Sequence, residues 1–298
     1  MRFTPNARFG LAALAAGIFI ISFSPLLVQV SEVGPSATAL YRALFALPAL
    51  GAWMILEQRH EPAPPRKLVL RDWALLAGAG LFFTGDLVSW HYSIRMSGVA
   101  NATFLAHLST PIIAVSAWAM FRERLTSGFI AGLILAMAGT ALIMGATILA
   151  PGGNLLGDGL GVLTAFFYAG YLLAIKRLRV SLPTGLIMTI STAFSLPGLL
   201  AAAVLLDDNL FPLTLLGWGI LVAIGLIMHA GGQGLITVAF RHLSASFASV
   251  ALLATPVLAA FFGWLFLAET LTLLQSLGCA AVLGGIALSQ RLGAAKGR

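Results

Sequence analysis

The sequence predicts an all-α integral membrane protein of ten transmembrane helices, arranged as two inverted five-helix repeats. Three observations support this fold class: the composition, a series of long apolar runs and an internal repeat. Of the 298 residues, 59% are hydrophobic and 9% are charged, whereas a soluble domain has roughly 45–50% apolar and about 25% charged residues. So few charges cannot cover the surface of a soluble fold of this length, which excludes a soluble enzyme, a disordered chain and a disulfide scaffold.

Ten apolar runs are long enough to cross a bilayer, which requires about 20 residues of helix. The runs are continuous rather than alternating in polarity, so they predict helices and not the strands of a membrane barrel. In chain order they cover residues 10–30, 36–56, 73–94, 99–121, 127–149, 157–176, 185–206, 212–240, 245–267 and 272–290.

The basic residues indicate the orientation of these helices. If the N-terminus is cytoplasmic, 15 of the 17 Lys and Arg residues fall in cytoplasmic segments, Arg95 falls outside, and Arg42 lies within the second run. Because cytoplasmic loops of membrane proteins are enriched in Lys and Arg, this distribution predicts a multi-pass membrane protein with both termini in the cytoplasm. The net charge of +7 therefore reflects topology, and we expect no nucleic-acid partner.

The two halves of the chain resemble each other. The segment 45–48 (Phe-Ala-Leu-Pro) recurs as 194–197 (Phe-Ser-Leu-Pro) at an offset of 149 residues. Further matches follow in order at offsets of 145 and 146 residues: Trp73 and Gly80 with Trp218 and Gly225, Thr110-Pro111 with Thr255-Pro256, and Glu123, Gly132 and Gly139 with Glu269, Gly278 and Gly285. We therefore divide the chain at residues 1–150 and 151–298. Five helices is an odd number, so the second repeat must be inverted, an arrangement typical of secondary transporters; the alternative is a duplication with a purely structural role.

Each half ends in a recognisable order of motifs: a short polar break, a Thr-Pro pair, a Glu, a Leu-Thr pair and a glycine-bearing helix. These motifs are Ala100-Asn101-Ala102-Thr103, Thr110-Pro111, Glu123, Leu125-Thr126 and Gly132, then Ala245-Ser246-Phe247-Ala248, Thr255-Pro256, Glu269, Leu271-Thr272 and Gly278. The pattern resembles the EamA-type repeat of the drug/metabolite transporter superfamily, whose members move amino acids, other metabolites and drugs. In length and polar content the chain is also similar to the bacterial YddG-type exporters of aromatic and other amino acids, and this resemblance implies a location in the bacterial inner membrane.

Asp86 is the one carboxylate well inside a predicted span. Phe83 and Trp90 stand at positions i−3 and i+4 from it, so the three side chains share a helix face. Apolar surroundings favour the neutral form of a carboxyl group, and such a group suits the binding of a proton or of a substrate ammonium. The alternative is a structural carboxyl that is hydrogen-bonded to a neighbouring helix.

Several other polar or aromatic side chains inside the spans are candidates for substrate binding. His229 and Gln233 stand at i and i+4 in a glycine-rich span, which favours them as cavity residues. An aromatic pocket with a few polar groups suits an amphipathic zwitterion or an organic cation. The full set of predicted substrate-binding residues is Ser22, Asp86, Trp90, His107, Tyr168, Tyr171, His229, Gln233 and Ser246.

For three other charged residues we expect structural roles. Arg42 lies within span two, closer to the outer face of the membrane than to the inner face. We therefore expect its side chain to extend to the surface or to pair with Glu32, although it could hold a substrate carboxylate. Glu123 and Glu269 precede helices, and we expect them to fix those turns, because an acid is stabilised at a helix N-terminus. The sequence has one cysteine, Cys279, and no Cys/His grouping, so neither a metal nor a cofactor is expected.

Prolines and glycines indicate which spans bend and which pack closely. Pro111 and Pro256 occupy equivalent places in the two repeats, and proline permits a bend in a helix, so we predict them as hinges. Small residues spaced by four, such as Gly128 and Gly132, favour close helix packing. Gly278 suggests the same for span ten, and we therefore assign spans five and ten to a scaffold or dimer role.

These observations predict a secondary exporter of small metabolites, most of all neutral or aromatic amino acids, working by alternating access. No Gly-x-x-x-x-Gly-Lys-Ser/Thr motif is present, so we do not expect ATP hydrolysis. The spans contain Ser and His residues but no recognisable nucleophile–base signature, so we expect no other enzymatic activity. The alternatives are an exporter of drugs and organic cations with the same fold, an intramembrane enzyme, and a channel. The expected partners are a small-molecule substrate, the lipid bilayer and protons, the last through Asp86. We expect a monomer or a weak homodimer.

Overall fold

The computed structural model describes residues 5–60, 67–148, 154–206, 209–267 and 272–293. Within these ranges every regular element is a helix and no strand is present, which confirms the predicted fold class. Nine helical stretches in this part of the chain are long and apolar enough to cross a membrane. One of them, Leu70–Phe121, has 52 residues and is therefore more than twice the length that a bilayer requires. The predicted boundary between spans three and four lies inside it, and the total of ten spans stays a prediction.

The described residues of the first half of the chain form six helices. Two short helices form the first span, and a kinked pair forms the long stretch. The elements are α1 (Pro5–Ile21), α2 (Ser24–Gln29), α3 (Pro35–His60), α4 (Leu70–Ala106), α5 (Ser109–Phe121) and α6 (Ser127–Ile148).

The part of the second half that the structure describes contains seven α-helices and one π-helical segment. The π-helical segment joins two α-helices into a single span and is rich in glycine. The elements are α7 (Leu155–Leu178), α8 (Thr184–Leu206), α9 (Leu215–Ala223), the π-helical segment (Ile224–Gln233), α10 (Gly234–His242), α11 (Ala245–Leu252), α12 (Ala254–Leu267) and α13 (Leu273–Gly293).

The long stretch changes direction at Gly98. Its φ angle is 82° and its ψ angle is 162°, a backbone conformation that residues other than glycine rarely adopt. A Cβ atom at this position would meet nothing within 4 Å, so glycine is required here by the backbone angle and not by crowding. The kink lies between predicted spans three and four, where the chain must turn back into the membrane.

Three further helix breaks each come just before a proline. Pro25, Pro111 and Pro256 are the second or third residue of α2, α5 and α12. Proline lacks an amide hydrogen, and its ring clashes with the carbonyl group four residues earlier, so the helix opens one turn before it. The equivalent prolines Pro111 and Pro256 thus coincide with equivalent breaks, whereas Pro48 lies inside the unbroken helix α3.

Contacts between α6 and α13 reveal the relation between the two repeats. A Cβ atom at Gly132 would lie 2.6 Å from the carbonyl oxygen of Gly285, and one at Gly139 would lie 2.7 Å from that of Gly278. Gly278 and Gly285 are the repeat equivalents of Gly132 and Gly139. Because the later residue of α6 meets the earlier residue of α13, these two equivalent helices run antiparallel. The second repeat is therefore inverted, and spans five and ten pack against each other within one chain.

A second pair of contacts has the same pseudo-two-fold symmetry. A Cβ atom at Gly80 on α4 would lie 2.6 Å from the Cβ of Phe194 on α8, and one at its equivalent, Gly225, would lie 2.7 Å from the Cβ of Phe45 on α3. Two edge-to-face ring pairs follow the same rule, each with centroids 6.3 Å apart: Trp73 with Phe194, and Trp218 with Phe45. The matches found in the sequence are thus equivalent contacts in the fold.

Acidic side chains outside the bilayer core hold the N-termini of helices that are distant in sequence. Glu123 accepts hydrogen bonds from the backbone amides of Ala245 and Ser246 at 2.8 and 3.0 Å. It therefore caps α11 of the other repeat, rather than fixing its own turn alone. The expectation for Glu269 falls outside the described residues.

Glu32 holds the N-terminus of α9 in the same way. Its carboxylate accepts hydrogen bonds from the amides of Leu213 and Thr214. The side-chain hydrogen bond from Thr214 also lowers the pKa of Glu32 from its ordinary value. The expected pairing of Glu32 with Arg42 is therefore wrong, because Glu32 is occupied by α9 and Arg42 points elsewhere.

Candidate functional site

A central cavity is bounded by helices from both repeats. The lining residues are Ile21, Ser24, Pro25, Arg42, Phe83, Asp86, Leu87, Trp90, Thr103, Ala106, His107, Thr164, Tyr168, Gln233, Leu252 and Thr255.

Five of the residues predicted from the sequence to bind substrate lie together on this lining. Asp86 and Trp90 come from α4, and His107 comes from the break between α4 and α5. Tyr168 comes from α7 and Gln233 from the end of the π-helical segment. Predictions made on four separate spans thus converge on one cavity.

Tyr171 and His229 lie behind the cavity wall. The Tyr171 ring lies 5.1 Å from that of Phe83, and the His229 ring stacks on Phe83 at 4.7 Å. Nε2 of His229 is 2.9 Å from the hydroxyl of Thr192. Both residues are fully buried, so they support the Phe83 face of the cavity without lining it.

The two predicted serines make other contacts. The hydroxyl of Ser22 donates to the carbonyl oxygen of Ile18 at 2.6 Å, and that of Ser246 donates to Glu123 at 2.6 Å. Neither serine lines the cavity. Their hydroxyl groups hold a helix break and a helix cap.

Arg42 is a charged cavity residue for which the sequence interpretation favoured a structural role. It is only 3% exposed and lines the cavity, because its side chain turns inward from α3 instead of extending to the surface. Its Nη1 donates to the Ser24 hydroxyl at 3.1 Å, and its guanidinium carbon lies 6.0 Å from the centroid of the Phe83 ring. The available signal was the repeat itself, since Ser191 occupies the equivalent position and the fold therefore does not require a charge.

Many polar atoms around the cavity have no hydrogen-bond partner among the described residues. Buried polar groups in proteins are normally hydrogen-bonded, so such a concentration is expected where a polar ligand binds. The atoms are Nε of Arg42, Oγ1 of Thr103, Nε2 of His107, Oγ1 of Thr164 and Nε2 of Gln233.

Comparison with known proteins identifies the family. The EamA-like transporter family matches this chain twice, over residues 8–145 and 155–290. The chain belongs to the EamA-like transporter family. This confirms the resemblance seen in the sequence and shows a multi-pass membrane transporter built from two repeats; the division at residue 150, which lies between the two matches, stays a prediction.

Two relatives and one solved structure show how far the similarity extends. Over 183 residues the chain is 30% identical to the pseudopaline exporter CntI of Pseudomonas aeruginosa, a match that covers 61% of this chain and only 63% of that protein. It is 29% identical over 267 residues to the uncharacterized transporter YwfM of Bacillus subtilis, covering 84% of each. A crystal structure superimposes with a TM-score of 0.78 at 19% identity, covering 96% of this chain and 98% of the other, which shows the fold alone.

The two EamA repeats contribute different chemistry to the cavity. Both charged lining residues, Arg42 and Asp86, come from the first repeat. The positions equivalent to them in the second repeat are Ser191 and Gly231, which are uncharged. The pseudo-symmetry of the EamA fold therefore does not extend to the charged residues of the cavity.

The helix breaks of this EamA-like transporter lie at the cavity wall. The carbonyl group left free before Pro111 belongs to His107 and accepts the Thr110 amide at 2.9 Å. The one left free before Pro256 belongs to Leu252 and accepts the hydroxyl of Thr255 at 2.7 Å. Bending at either break would move cavity-lining residues.

Proposed function

We propose that this EamA-like transporter exports small metabolites, and amino acids above all, across the bacterial inner membrane by alternating access around the central cavity. The observation that carries the proposal is the cavity itself. It lies between two inverted repeats and combines apolar and aromatic walls with buried polar atoms that have no partner among the described residues. Such a lining matches an amphipathic solute with a few hydrogen-bonding groups.

Buried apolar layers on both sides of the cavity favour a carrier over a channel. Toward the predicted outer face, Val28 and Ile94 pack in one cluster, one helical turn beyond Pro25 and Trp90. Toward the predicted inner face, Leu172 and Ile236 belong to the main core, one turn beyond Tyr168 and Gln233. Alternating access would require these two layers to open in turn.

The alternative of an organic-cation exporter is disfavoured by Arg42. Asp86 and Trp90 would suit a cation, but the buried guanidinium of Arg42 shares the cavity with them. A second positive charge brought into this low-dielectric space would be repelled by Arg42. A solute that carries both signs of charge avoids this penalty.

The alternative of an intramembrane enzyme would need an accessible nucleophile beside a base. Thr192 and His229 are such a hydroxyl–imidazole pair, 2.9 Å apart. Both are fully buried behind Phe83, and Nδ1 of His229 has no partner among the described residues to orient the ring. A substrate could reach this pair only if Phe83 and the helices around it moved apart.

The test is a flux panel in proteoliposomes. Purified protein is reconstituted, and uptake of radiolabelled amino acids and organic cations is measured with and without a pH gradient. We expect saturable amino-acid flux that is stimulated by unlabelled substrate on the opposite side. Flux that rises linearly with concentration and shows no counterflow would contradict the carrier mechanism, and saturable flux of cations alone would contradict the amino-acid substrate.

The proposed orientation places both termini in the cytoplasm. In a Cys279→Ser background, a single cysteine at Arg95 is expected to be labelled by an impermeant maleimide added to intact cells, and a single cysteine near residue 6 is expected to be protected. Labelling near residue 6 together with protection at residue 95 would reverse the proposed orientation.

A further inference from the structure

Two opposite charges face the same cavity without a direct ion pair. Arg42 and Asp86 are 3% and 7% exposed, and both line the cavity. They are close enough to attract each other electrostatically. Asp86, however, makes no hydrogen bond or ion pair with any other residue of the described ranges.

Buried charges are stable only when they are paired and hydrogen-bonded. Ser24 occupies one nitrogen of the Arg42 guanidinium, and the Nε of that group stays unpartnered among the described residues. The guanidinium group can form two parallel hydrogen bonds with a carboxylate. To be fully paired, Arg42 therefore still requires an anion, and Asp86 still requires a cation.

We propose that Arg42 and Asp86 form a two-point receptor for zwitterions, in which Arg42 binds the substrate carboxylate and Asp86 binds its ammonium group. This inference rests on the proposed export function and names the part of the substrate that is recognised. The two charges lie on different helices, α3 and α4, so the receptor depends on the distance between these helices. The repeat equivalents of both residues are uncharged, so the charges serve the site and not the fold.

The rest of the cavity is left to the substrate side chain. Phe83, Leu87, Trp90 and Tyr168 form an apolar and aromatic wall. A receptor that recognises the two charged groups of an amino acid and offers a broad wall to its side chain predicts strict selection for the zwitterion. It also predicts loose selection among neutral side chains.

The experiment compares three probes that differ only in charge: L-phenylalanine, L-phenylalaninamide, which lacks the carboxylate, and 3-phenylpropionate, which lacks the ammonium group. Binding to the full-length detergent-purified protein is measured by calorimetry, and counterflow is measured in proteoliposomes. Wild type is expected to bind phenylalanine about tenfold or more better than either analogue, since a hydrogen bond to a charged group contributes about that factor. A wild-type protein without this preference would overturn the inference.

Two variants test which of the two charged residues binds the carboxylate of the substrate and which binds its ammonium group. Arg42→Gln is expected to abolish the preference for phenylalanine over phenylalaninamide while keeping the preference over phenylpropionate. Asp86→Asn is expected to do the reverse. Loss of both preferences in each variant, or of neither, would contradict the assignment.

Further variants keep the test valid if a charge removal impairs folding. Arg42→Lys retains the positive charge and is expected to retain the preference for the carboxylate. Arg95→Gln removes an exposed arginine outside the cavity lining and is expected to match wild type. If another metabolite shows counterflow but zwitterions have no advantage, the receptor is wrong and the export function stands. If no solute shows counterflow, the proposed function itself is contradicted.

Discussion

At the scale of single residues, depth in the membrane and direction of the side chain are separate properties. Arg42 lies in the outer part of its span, and depth alone predicted that it would reach the surface. The structure instead turns its side chain inward, onto the Ser24 hydroxyl and the Phe83 ring. Ser246 is the opposite case, because its hydroxyl completes a helix cap with Glu123 and does not reach the cavity.

If Asp86 is the group that couples transport to protons, Asp86→Asn removes the one carboxylate among the described cavity-lining residues, and with it the group that takes up and releases a proton. We expect the variant to lose the stimulation of flux by a pH gradient, measured in proteoliposomes. Asp158→Asn is the matched control. Asp158 accepts a hydrogen bond from the side-chain amide of Asn101 and does not line the cavity. A pH response that is unchanged in Asp86→Asn at every pH would end this interpretation.

Gln233 and Glu123 are expected to respond differently to alanine substitution. Gln233→Ala removes a cavity amide and should weaken substrate binding, whereas Glu123→Ala removes the cap of α11 and should cost about 0.5–2 kcal/mol of stability. His229→Ala should weaken binding indirectly, by loosening the Phe83 wall. Affinity by calorimetry and thermal unfolding in detergent separate these effects. A larger affinity loss in Glu123→Ala than in Gln233→Ala would overturn the location of the site.

At the scale of elements, the helix breaks and the cavity coincide. The ends of α1, α4 and α11 and the starts of α2 and α12 all contribute lining residues. The π-helical segment places Gln233 at its last position. Broken helices leave backbone groups free of intrahelical bonds, and such irregular backbone is tolerated in membranes where it borders a cavity. The breaks are therefore the elements best placed to move.

Pro111→Ala and Pro256→Ala test the predicted hinges. Alanine restores a backbone donor and favours a straight helix, so bending should become harder. We expect the maximal counterflow rate to fall severalfold with a smaller change in apparent affinity. Pro48→Ala, in the unbroken helix α3, is the control and should retain most of the rate. Wild-type rates in both hinge variants would show that the bends are static.

At the scale of the whole molecule, the pseudo-two-fold axis relates contacts that the sequence repeat only suggested. Gly139 and Gly278 touch each other across α6 and α13: a Cβ at either would lie 2.7–2.8 Å from the other's carbonyl oxygen. In the described ranges these helices supply no cavity-lining residue, which supports the scaffold role predicted for them.

Equivalent substitutions at this interface should therefore have equivalent effects. Gly139→Ala and Gly278→Ala each force the same two helices apart, and each is expected to cost about 1–3 kcal/mol through overpacking. Gly51→Ala is the control, since a Cβ there would meet nothing within 4 Å. Thermal unfolding in detergent measures all three. Strongly unequal losses for the two interface glycines would contradict the symmetric packing.

The sequence alone predicted the membrane-embedded helices, the inverted repeat, the proline-linked breaks and five of the cavity residues. These properties depend on hydrophobic length, on comparison of the chain with itself and on backbone chemistry, all of which are local or one-dimensional. Only the tertiary structure brought Arg42 and Asp86 to one cavity, placed His229 behind Phe83 and joined Ser246 to Glu123. Which face of each helix meets the cavity depends on how the helices rotate and cross, and those angles arise from packing across the whole molecule rather than from any single span.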